Sequence, residues 1–393
     1  MNVFKMKKIL FNDFKREYLR FKTVIDRGIN RVMRSGWFIL GKELGHLETN
    51  LAKLLKVKYC VGVGNGTDAI TLALLALEIG FGDEVITSNV TAYPTITGIE
   101  RSGAKPVVVD IDEDSGLIDP VKIEAAITTR TKALVPVHLY GQACEMDKII
   151  AIAKRHKLKI IEDCAQSITS TYKNQPTGSF GDAGTLSFYP TKNLGAYGDA
   201  GAVVTNDRAI YKKVLQLRNY GQTVRYHHKY SGLNSRLDEI QAAVLNAKLK
   251  HLSGNIRKRR KIASRYNQEL KIKHIPQLKN NHHTYHLYVI KSSHRENLMK
   301  YLEARGILSL IHYPIPINKQ QAFRYQKNQI FPATEKFTRE IVSLPIYPEL
   351  TSAEVQYIIN TVNRFMQEKN PTANHNSHFP DDSDNIALSE KIK

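Results

Sequence analysis

KYCVGVGNGTDAITLALLALEIG, residues 58–80, joins a β-branched run to a helical pattern through a glycine-rich turn. The first part, KYCVGVGN, predicts a strand, and TDAITLALLALEIG predicts a helix. The same alternation continues to residue 205, with further predicted strands in DEVITS, KPVVVDID, ALVPVHLYG, LKIIEDCAQS and GAVVTND. Apolar strands separated by helices are typical of a mostly parallel sheet with helices on both faces. We therefore predict an α/β fold with a mostly parallel central sheet.

The pattern changes after this region. A helical pattern begins at Leu237 in LDEIQAAVLNAKLKHL and continues toward NQEL at 267–270. HTYHLYVIK then predicts a strand, and ENLMKYLEARG and EVQYIINTVNRFM predict helices. We predict a large α/β domain over residues 1–250, including an N-terminal helical segment, and a small α+β domain over 251–368. The polar residues 369–393 lack periodicity and are expected to be disordered.

Charge favours an anionic ligand. The chain of 393 residues has 57 Lys and Arg against 37 Asp and Glu, a formal net charge of +20. Such a field attracts nucleic acid, a membrane surface or a phosphorylated substrate. The densest run, RKRRK at 257–261, is open to two interpretations, a nucleic-acid patch or a solvated helix face. We favour the solvated face and expect no nucleic-acid partner, because no zinc-finger, RRM or basic-zipper signature accompanies the run.

Other classes of protein find little support. No segment approaches the roughly 20 consecutive apolar residues that span a membrane, and the charged start of the chain is unlike a signal peptide. Cys60, Cys144 and Cys164 are widely spaced and contain no CxxC pair, so we predict neither a disulfide framework nor a metal site. A cytoplasmic location is expected.

Three motifs carry chemistry. In GVGNGTDA, Gly66 and Thr67 open a predicted helix whose free N–H groups favour an anion, although the dinucleotide and Walker patterns are both incomplete. Asp163 ends the predicted strand in IIEDCAQS, at the position where open α/β sheets bind ligands. Lys192 lies alone in SFYPTKNLGAYGDAG, and a lysine in a partly apolar cleft becomes a nucleophile toward carbonyl groups. Each motif alone has an ordinary structural explanation: a tight turn, a helix cap or ion pair, and a solvated lysine.

Together the three motifs meet the demands of pyridoxal 5'-phosphate (PLP). Its phosphate needs N–H donors, its ring nitrogen needs a carboxylate, and its aldehyde needs a lysine for a Schiff base. The three elements in this order on an α/β pattern therefore predict a PLP enzyme.

The sequence resembles the DegT/DnrJ/EryC1/StrS family of PLP-dependent nucleotide-sugar aminotransferases, which have the type I aminotransferase fold. The matching stretches extend over residues 10–366 and include SGWFILGKEL, GNGTDAI, GAKPVVVDID, EDCAQS, SFYPTKNLGAYGDAGAVVT, GLNSRLDEIQAA, HYPIPI and LPIYPELT. The resemblance implies that Lys192 forms the Schiff base and transfers protons, that Asp163 pairs with the pyridinium nitrogen, and that Gln166 bonds the ring hydroxyl oxygen. It further implies that Gly66, Thr67 and Ser187 hold the phosphate.

The resemblance also implies a homodimer with shared active sites. Asn234 would reach the phosphate of the neighbouring subunit, Trp37 would lie near the shared site, and His312 and Tyr313 would lie near the substrate. Two positions depart from the family pattern. Ala92 stands where members often have an aromatic residue on the cofactor ring, with Tyr93 as a candidate substitute, and Asn318 replaces the last histidine of HYPxPxH.

The reaction implied by the resemblance is ping-pong transamination. L-Glutamate would be the donor and a nucleotide-linked keto-deoxyhexose the acceptor, giving an amino sugar for a surface polysaccharide such as O-antigen or for another glycoconjugate. A dTDP-3-keto-6-deoxyhexose is favoured and a 4-keto sugar is the alternative. Three more remote alternatives are a PLP-dependent sugar dehydratase, which would have histidine in place of Lys192, a cysteine desulfurase, which would need a mobile cysteine, and a non-enzymatic regulator, which would depend on RKRRK.

Overall fold

A computed structural model describes residues 8–369 of the chain. The strands of this part, numbered in chain order, are β1 Tyr59–Val63, β2 Glu84–Ser88, β3 Lys105–Val109, β4 Thr131–Val135, β5 Lys159–Asp163, β6 Thr171–Tyr172, β7 Gln175–Pro176, β8 Ala183–Ser187, β9 Gly201–Thr205, β10 Gln222–Val224, β11 His227–His228, β12 Asn281–His282, β13 Tyr288–Lys291 and β14 Ile341–Leu344. The helices are α1 Phe14–Ser35, α2 Lys42–Leu54, α3 Gly66–Ala76, α4 Tyr93–Arg101, α5 Pro120–Ala125, α6 Met146–His156, α7 Arg208–Leu217, α8 Glu239–Leu249, α9 Leu252–Glu269, α10 Arg295–Ala304, α11 Pro332–Glu340 and α12 Ser352–Lys369. The predicted tail lies outside the described residues, apart from Lys369, which ends α12.

A seven-stranded sheet forms the centre of the molecule, in the order β1-β9-β8-β5-β4-β2-β3. The neighbours from β3 to β8 pair in parallel, whereas β9 runs antiparallel to both β8 and β1. The prediction of a mostly parallel sheet flanked by helices is confirmed. Because β1, β2, β4, β5 and β8 point the same way, the residues that follow them meet at one edge of the sheet.

Local sequence explains how the flanking helices begin. The Asn65 side chain caps α3 by accepting a hydrogen bond from the Asp68 N–H at 2.8 Å, and Asp207 caps α7 in the same way. Helix α1 begins after Asp13, whose carboxylate accepts from the Arg16 N–H, and ends at Gly36, which adopts the left-handed conformation. The apolar residues of α3 are buried almost all round, because this helix packs on the sheet beside α4 and α7.

The C-terminal part has its own hydrophobic cluster, built from β13, β14, α9, α10 and α12. Ile9 belongs to the same cluster and forms a parallel bridge with Ile307, so the start of the described chain packs here. Helix α9 connects this cluster to the hydrophobic core on the central sheet. Its first turns pack Leu252 and Ile256 against the core beside β1 and β8, and its later turns pack Tyr266 in the C-terminal cluster.

Two expectations about regular structure were wrong. The single helix expected from Leu237 to residue 270 is two helices, α8 and α9, separated by a turn at Lys250 and His251. The break lets α8 pack on α1 and α2 while α9 turns toward the C-terminal cluster. The strand expected over 283–291 is regular only in β13, because the preceding residues instead bond the turn at 140–141: the N–H groups of Thr284 and Leu287 donate to the Gly141 and Tyr140 carbonyls.

The basic run at 257–261 also differs from expectation. It lies on α9, but Arg259 is buried, and its Nη1 donates to the carbonyls of Tyr285, His286 and Ile346. Arg260 likewise bonds the His283 carbonyl. The interpretation of the whole run as a solvated face was wrong for these two arginines, because the helix turns them toward the segment before β13. Among residues 8–369, no helix combines the length and apolar character needed to cross a bilayer.

Candidate active site

A cleft of about 290 Å³ lies at the edge of the sheet where the parallel strands end. Each of five strands contributes the residues that follow it: 65–67 after β1, 91–95 after β2, Val137 after β4, 163–166 from the end of β5, and 187–192 from the end of β8. The three motifs singled out from the sequence therefore meet in one place. The topology brings them together because parallel strands present their carboxyl ends at the same edge.

Asp163 is the buried carboxylate of the cleft, with 4% of its surface exposed. Its Oδ1 accepts the Ala165 N–H at 3.0 Å, and its Oδ2 accepts the Thr95 hydroxyl at 2.8 Å. The Thr95 oxygen lies 2.9 Å from the Thr91 hydroxyl, which extends the network along the start of α4. These bonds hold a buried acid in one orientation, as a partner for a cationic ring nitrogen requires.

Lys192 lies on a loop that the chain closes tightly. The Ala196 N–H donates to the Phe188 carbonyl at 2.7 Å, and a Cβ on Gly195 would lie 2.3 Å from the Pro190 carbonyl oxygen, so only glycine fits there. Burial lowers the pKa of the Lys192 ammonium to about 8, and the nearby Asp163 carboxylate partly opposes this shift. With this pKa about a tenth of the Lys192 side chains are uncharged at pH 7, far more than for an ordinary lysine, and the uncharged amine is the form that attacks a carbonyl.

The N-terminus of α3 forms the opposite end of the cleft. Gly66 and Thr67 start this helix, and their N–H groups are among those without partners inside it. Ser187, at the end of β8, packs directly against Gly66: a Cβ at residue 66 would lie 2.8 Å from the Ser187 Cβ. The helix terminus and two hydroxyl side chains make this end suitable for a phosphate group.

Gln166 connects the cleft to a layer of aromatic residues. Its Oε1 accepts the Tyr140 N–H at 2.7 Å, and its Nε2 donates to the Tyr313 hydroxyl at 3.0 Å. The Tyr140 hydroxyl in turn donates to the His312 carbonyl. Burial, with a smaller contribution from Lys192, lowers the pKa of His312 to about 4, so its ring is neutral at pH 7. His312 and Tyr313 therefore lie behind Gln166 and do not line the cleft itself.

These residues fit PLP. A buried acid, an amine with a lowered pKa and a helix N-terminus beside a seryl hydroxyl correspond to its ring nitrogen, aldehyde and phosphate. The fit is specific at Gly66, where a larger residue would push Ser187 away from the phosphate end of the cleft.

Comparison with known proteins decides the family. A model of the DegT/DnrJ/EryC1/StrS aminotransferase family matches residues 21–363. The chain belongs to this family.

Several relatives of the chain are similar over most of its length. The dTDP-3-amino-3,6-dideoxy-alpha-D-galactopyranose transaminase of Aneurinibacillus thermoaerophilus is 45% identical over 91% of this chain and 99% of that protein. A pleiotropic regulatory protein of Geobacillus stearothermophilus is 42% identical over 90% and 97% of the two chains. The UDP-2-acetamido-2-deoxy-3-oxo-D-glucuronate aminotransferase of Pseudomonas aeruginosa is 42% identical over 89% and 98%.

Solved structures agree with this assignment. DesV of S. venezuelae, in complex with a ketimine intermediate, superposes with a TM-score of 0.90 at 38% identity and covers 92% of this chain and 99% of its own. NtdA of Bacillus subtilis, with bound cofactor PMP, has a TM-score of 0.85 at 32% identity and covers 93% and 87%. The protein is a PLP-dependent aminotransferase.

Two residues expected at the shared site of this aminotransferase lie away from its own cleft. Asn234 is exposed and pairs with Asn219 in an isolated bridge. Trp37 is 63% exposed, and the loop that follows it is anchored by Glu239, whose carboxylate accepts the N–H groups of Gly41, Glu43 and Leu44. Neither residue completes the cleft of its own chain, so their roles stay predictions.

The two departures from the family pattern have structural explanations. Tyr93 does not cover the cleft in place of Ala92, because its ring packs against the cluster of Ile96, Phe323 and neighbouring residues. The Asn318 amide is committed to the protein: its Oδ1 accepts from Asn89 Nδ2 at 3.0 Å and its Nδ2 donates to the Gln329 carbonyl. The suggestion that Tyr93 substitutes over the ring was therefore wrong, and Asn318 has a structural role in joining the residues after β2 to the segment that contains Gln329.

Sequence reasoning missed several residues of the aminotransferase cleft. Thr91 and Thr95 hold the Asp163 carboxylate, and Tyr189 and Asp199 line the cleft on either side of Lys192. Thr91 precedes α4 and Thr95 lies in its first turn, so helical spacing does not relate the two hydroxyls and no local signal marked them. Nothing local marked Tyr189 or Asp199.

One buried cluster has the composition of a metal site. His138, Glu162 and Cys164 place possible ligand atoms within 4.8 Å of one another. However, Glu162 accepts the N–H groups of Gly178, Phe180 and Gly181 and lies 2.9 Å from His138 Nε2. His138 Nδ1 accepts the Cys144 N–H. Because its donors and acceptors are already paired, the cluster serves as a hydrogen-bonded support beneath Asp163. All three cysteines are buried, so none of them is a mobile nucleophile.

Proposed function

We propose that the protein transfers the amino group of L-glutamate to a nucleotide-linked keto-deoxyhexose, as a cytoplasmic homodimer. A dTDP-3-keto-6-deoxyhexose is the favoured acceptor, and the product is an amino sugar for a surface polysaccharide or another glycoconjugate. The observation that carries the transamination is the convergence of Lys192, Asp163 and the α3 N-terminus in one cleft. Lys192 also argues against the sugar dehydratases, which have histidine at this position.

The chain's own residues have distinct parts in this reaction. When bound, PLP supplies the electron sink that makes proton removal from the amine-bearing carbon possible. Asp163 presents a carboxylate that Thr95 and Ala165 hold in place, so that the ring nitrogen keeps its proton. Lys192 Nζ would hold the cofactor's aldehyde and would accept and return the migrating proton, for which a lowered pKa of about 8 is suited to neutral pH.

The sugar assignment depends on the relatives. The Aneurinibacillus protein is a dTDP-3-amino-sugar transaminase by name, and the Pseudomonas protein acts, by name, on a UDP-linked 3-oxo sugar. Both names place the reaction at carbon 3 while the nucleotides differ. A net charge of +20 favours an anionic nucleotide diphosphate of either kind.

The surface around residue 37 supports a homodimer. Trp37, Phe38, Ile39 and Leu40 are consecutive and between 36% and 63% exposed, on a loop that Glu239 holds rigidly. A second copy of the chain would cover this apolar patch and bring Asn234 of each subunit toward the other cleft.

A half-reaction screen tests the proposal. The purified protein is loaded with PLP and treated with L-glutamate, and the visible absorption band of the lysine-bound cofactor should disappear. Candidate dTDP-3-keto, dTDP-4-keto and UDP-3-keto sugars are then added separately, and the band should return with the dTDP-3-keto sugar. Return only with a 4-keto sugar would refute the position of amination, and return with no sugar would refute the acceptor class. Lys192→Ala, which cannot form the band, is the control.

A further inference from the structure

The position of the Lys192 loop depends on side chains from distant parts of the chain. Two contacts anchor the loop from outside. Lys248 Nζ, on α8, donates to the Gly195 carbonyl at 2.6 Å, and Asn193 Nδ2 donates to the Thr284 carbonyl at 3.2 Å. The two anchored residues, Asn193 and Gly195, lie one and three positions after Lys192 in the chain.

Lys248 is a buried cation whose paired carboxylate is Glu17, with a weaker influence from Glu349. Only 2% of its surface is exposed, and Glu17 Oε1 lies 2.7 Å from its Nζ. Burial lowers the pKa of Lys248, and the Glu17 carboxylate opposes this by favouring the charged form. The ammonium also lies 4.8 Å from the centre of the Tyr197 ring, where a cation is attracted to the aromatic face. A chain of polar contacts thus connects Glu17 on α1, through the Lys248 ammonium, to the Gly195 carbonyl.

A small polar cavity lies on the other side of the same loop. Its volume is about 30 Å³, and Glu17, Asn193, Lys192 and Arg259 are among its lining residues. Glu17 Oε2 and Asn193 Oδ1 are buried, and neither has a hydrogen-bond partner within the described chain. Arg259 commits Nη1 to three carbonyls and has further N–H donors on its other nitrogens. The cavity therefore offers both acceptors and donors, in a volume that suits one or two water molecules.

We propose that this cavity binds water that connects Glu17 to Asn193, and that Glu17 is a positioning residue for Lys192. Glu17 Oε1 pairs with the Lys248 ammonium, which donates to the Gly195 carbonyl. Glu17 Oε2 accepts a hydrogen bond from the bound water, which also donates to Asn193 Oδ1. The cavity is lined by the carboxyl groups of Asp13, Glu17 and Glu349 and by the basic groups of Lys192 and Arg259. Water suits such a mixed lining, because it donates to the carboxylates and accepts from the basic groups. The part of the inference that concerns Lys192 rests on its proposed role in carrying the cofactor.

The test separates positioning from simple stability. Apoprotein is mixed with PLP, the rate at which the visible band appears is measured, and the thermal midpoint of each apoprotein is recorded. Glu17→Gln should slow band formation by about tenfold or more, since misplacement of a reacting group by about 1 Å can cost about 100-fold. Asp26→Asn, which removes an exposed ion pair with Lys22 on the same helix, should change the rate less than about twofold.

The double variant Glu17→Gln with Lys248→Met supplies the decisive comparison. Removing both charges leaves neither member of the Glu17–Lys248 pair as an unpaired buried ion, so the thermal midpoint should recover toward wild type. Band formation should stay slow, because the anchor on Gly195 is lost. Recovery of both the midpoint and the rate would show that the pair is only structural and would overturn the inference. If the wild-type protein forms no band at all, the proposed function fails instead.

A high-resolution crystal structure tests the water directly. Density within hydrogen-bond distance of both Glu17 Oε2 and Asn193 Oδ1 is expected, with the coordination and scattering of water. A dry cavity, or an anomalous signal from a metal ion at this position, would overturn the proposal.

Discussion

Thr95→Val tests how the cleft holds its buried acid. The substitution keeps the shape of a side chain that is 2% exposed but removes the hydroxyl that donates to Asp163 Oδ2 at 2.8 Å. It also leaves the Thr91 hydroxyl without the partner it has at 2.9 Å. A hydrogen bond to a charged group contributes about 1.5–3 kcal/mol, against about 0.5–1.5 kcal/mol for a neutral one. We therefore expect Thr95→Val to destabilise the apoprotein by about 1.5–3 kcal/mol.

Thr87→Val is the matched control. Thr87 is fully buried near the same end of β2, and its hydroxyl donates to the neutral Val135 carbonyl at 2.8 Å. The two variants delete the same atoms, but only Thr95→Val frees the Asp163 carboxylate. Because the freed carboxylate must be re-ordered when the cofactor binds, PLP affinity should fall in Thr95→Val, tenfold for each ~1.4 kcal/mol that the re-ordering costs. It should stay near wild type in Thr87→Val.

The assay combines urea denaturation of the apoproteins with titration of PLP, followed through the visible band of the lysine-bound cofactor. The reasoning fails if Thr95→Val is no more destabilising than Thr87→Val. It also fails if both variants bind PLP with equal affinity, since the hydroxyl would then have no part in orienting Asp163.

Three further predictions concern the titration of Lys192, the Asn318 contact and the basic run. Because burial lowers the pKa of Lys192 to about 8, the uncharged form of its side chain increases as pH rises through that value. The rate of PLP capture by the apoprotein should therefore rise up to about pH 8 and then level off. A rise that continues beyond about pH 10 would indicate an ordinary lysine. Asn318→Ala should lower stability by about 1–3 kcal/mol without altering the pH profile of turnover. Because Asn318 and Asn89 bond each other, a double-mutant cycle with Asn89→Ala should be strongly non-additive. A changed pH profile would instead indicate an acid–base role for Asn318. Arg259→Met should destabilise the protein by more than about 2 kcal/mol, because it leaves three buried carbonyls unpaired. Lys258→Met, at an exposed neighbouring position, should change stability by less than about 0.5 kcal/mol. Equal effects of the two variants in chemical denaturation would contradict the inward placement of Arg259.

Much of the fold could be predicted from local pattern. The strand, turn and helix around residues 58–80 and the later repeats of that alternation predicted the mostly parallel sheet, and the glycine-rich turn at 64–66 predicted the start of α3. The pattern was less informative for β8, whose small residues give a weak strand signal. It also failed at the turn between α8 and α9, because helical periodicity continues across a break that tertiary packing imposes.

The sequence by itself determined the chemistry of the site: an acid at a strand end, a glycine-opened helix and a lone lysine. The strands that carry them are parallel, so their carboxyl ends had to meet at one edge. Only the tertiary structure decided which distant groups hold these residues in place. Thr95 and Asp163 are 68 residues apart, and Asn89 and Asn318 are 229 apart. Such pairs depend on how whole elements pack, and the same packing turns Tyr93 away from the cleft and Arg259 into the interior. Local sequence shows the hydrophobic period of a helix or strand, but it does not show which side chains of distant elements will pack against that helix or strand.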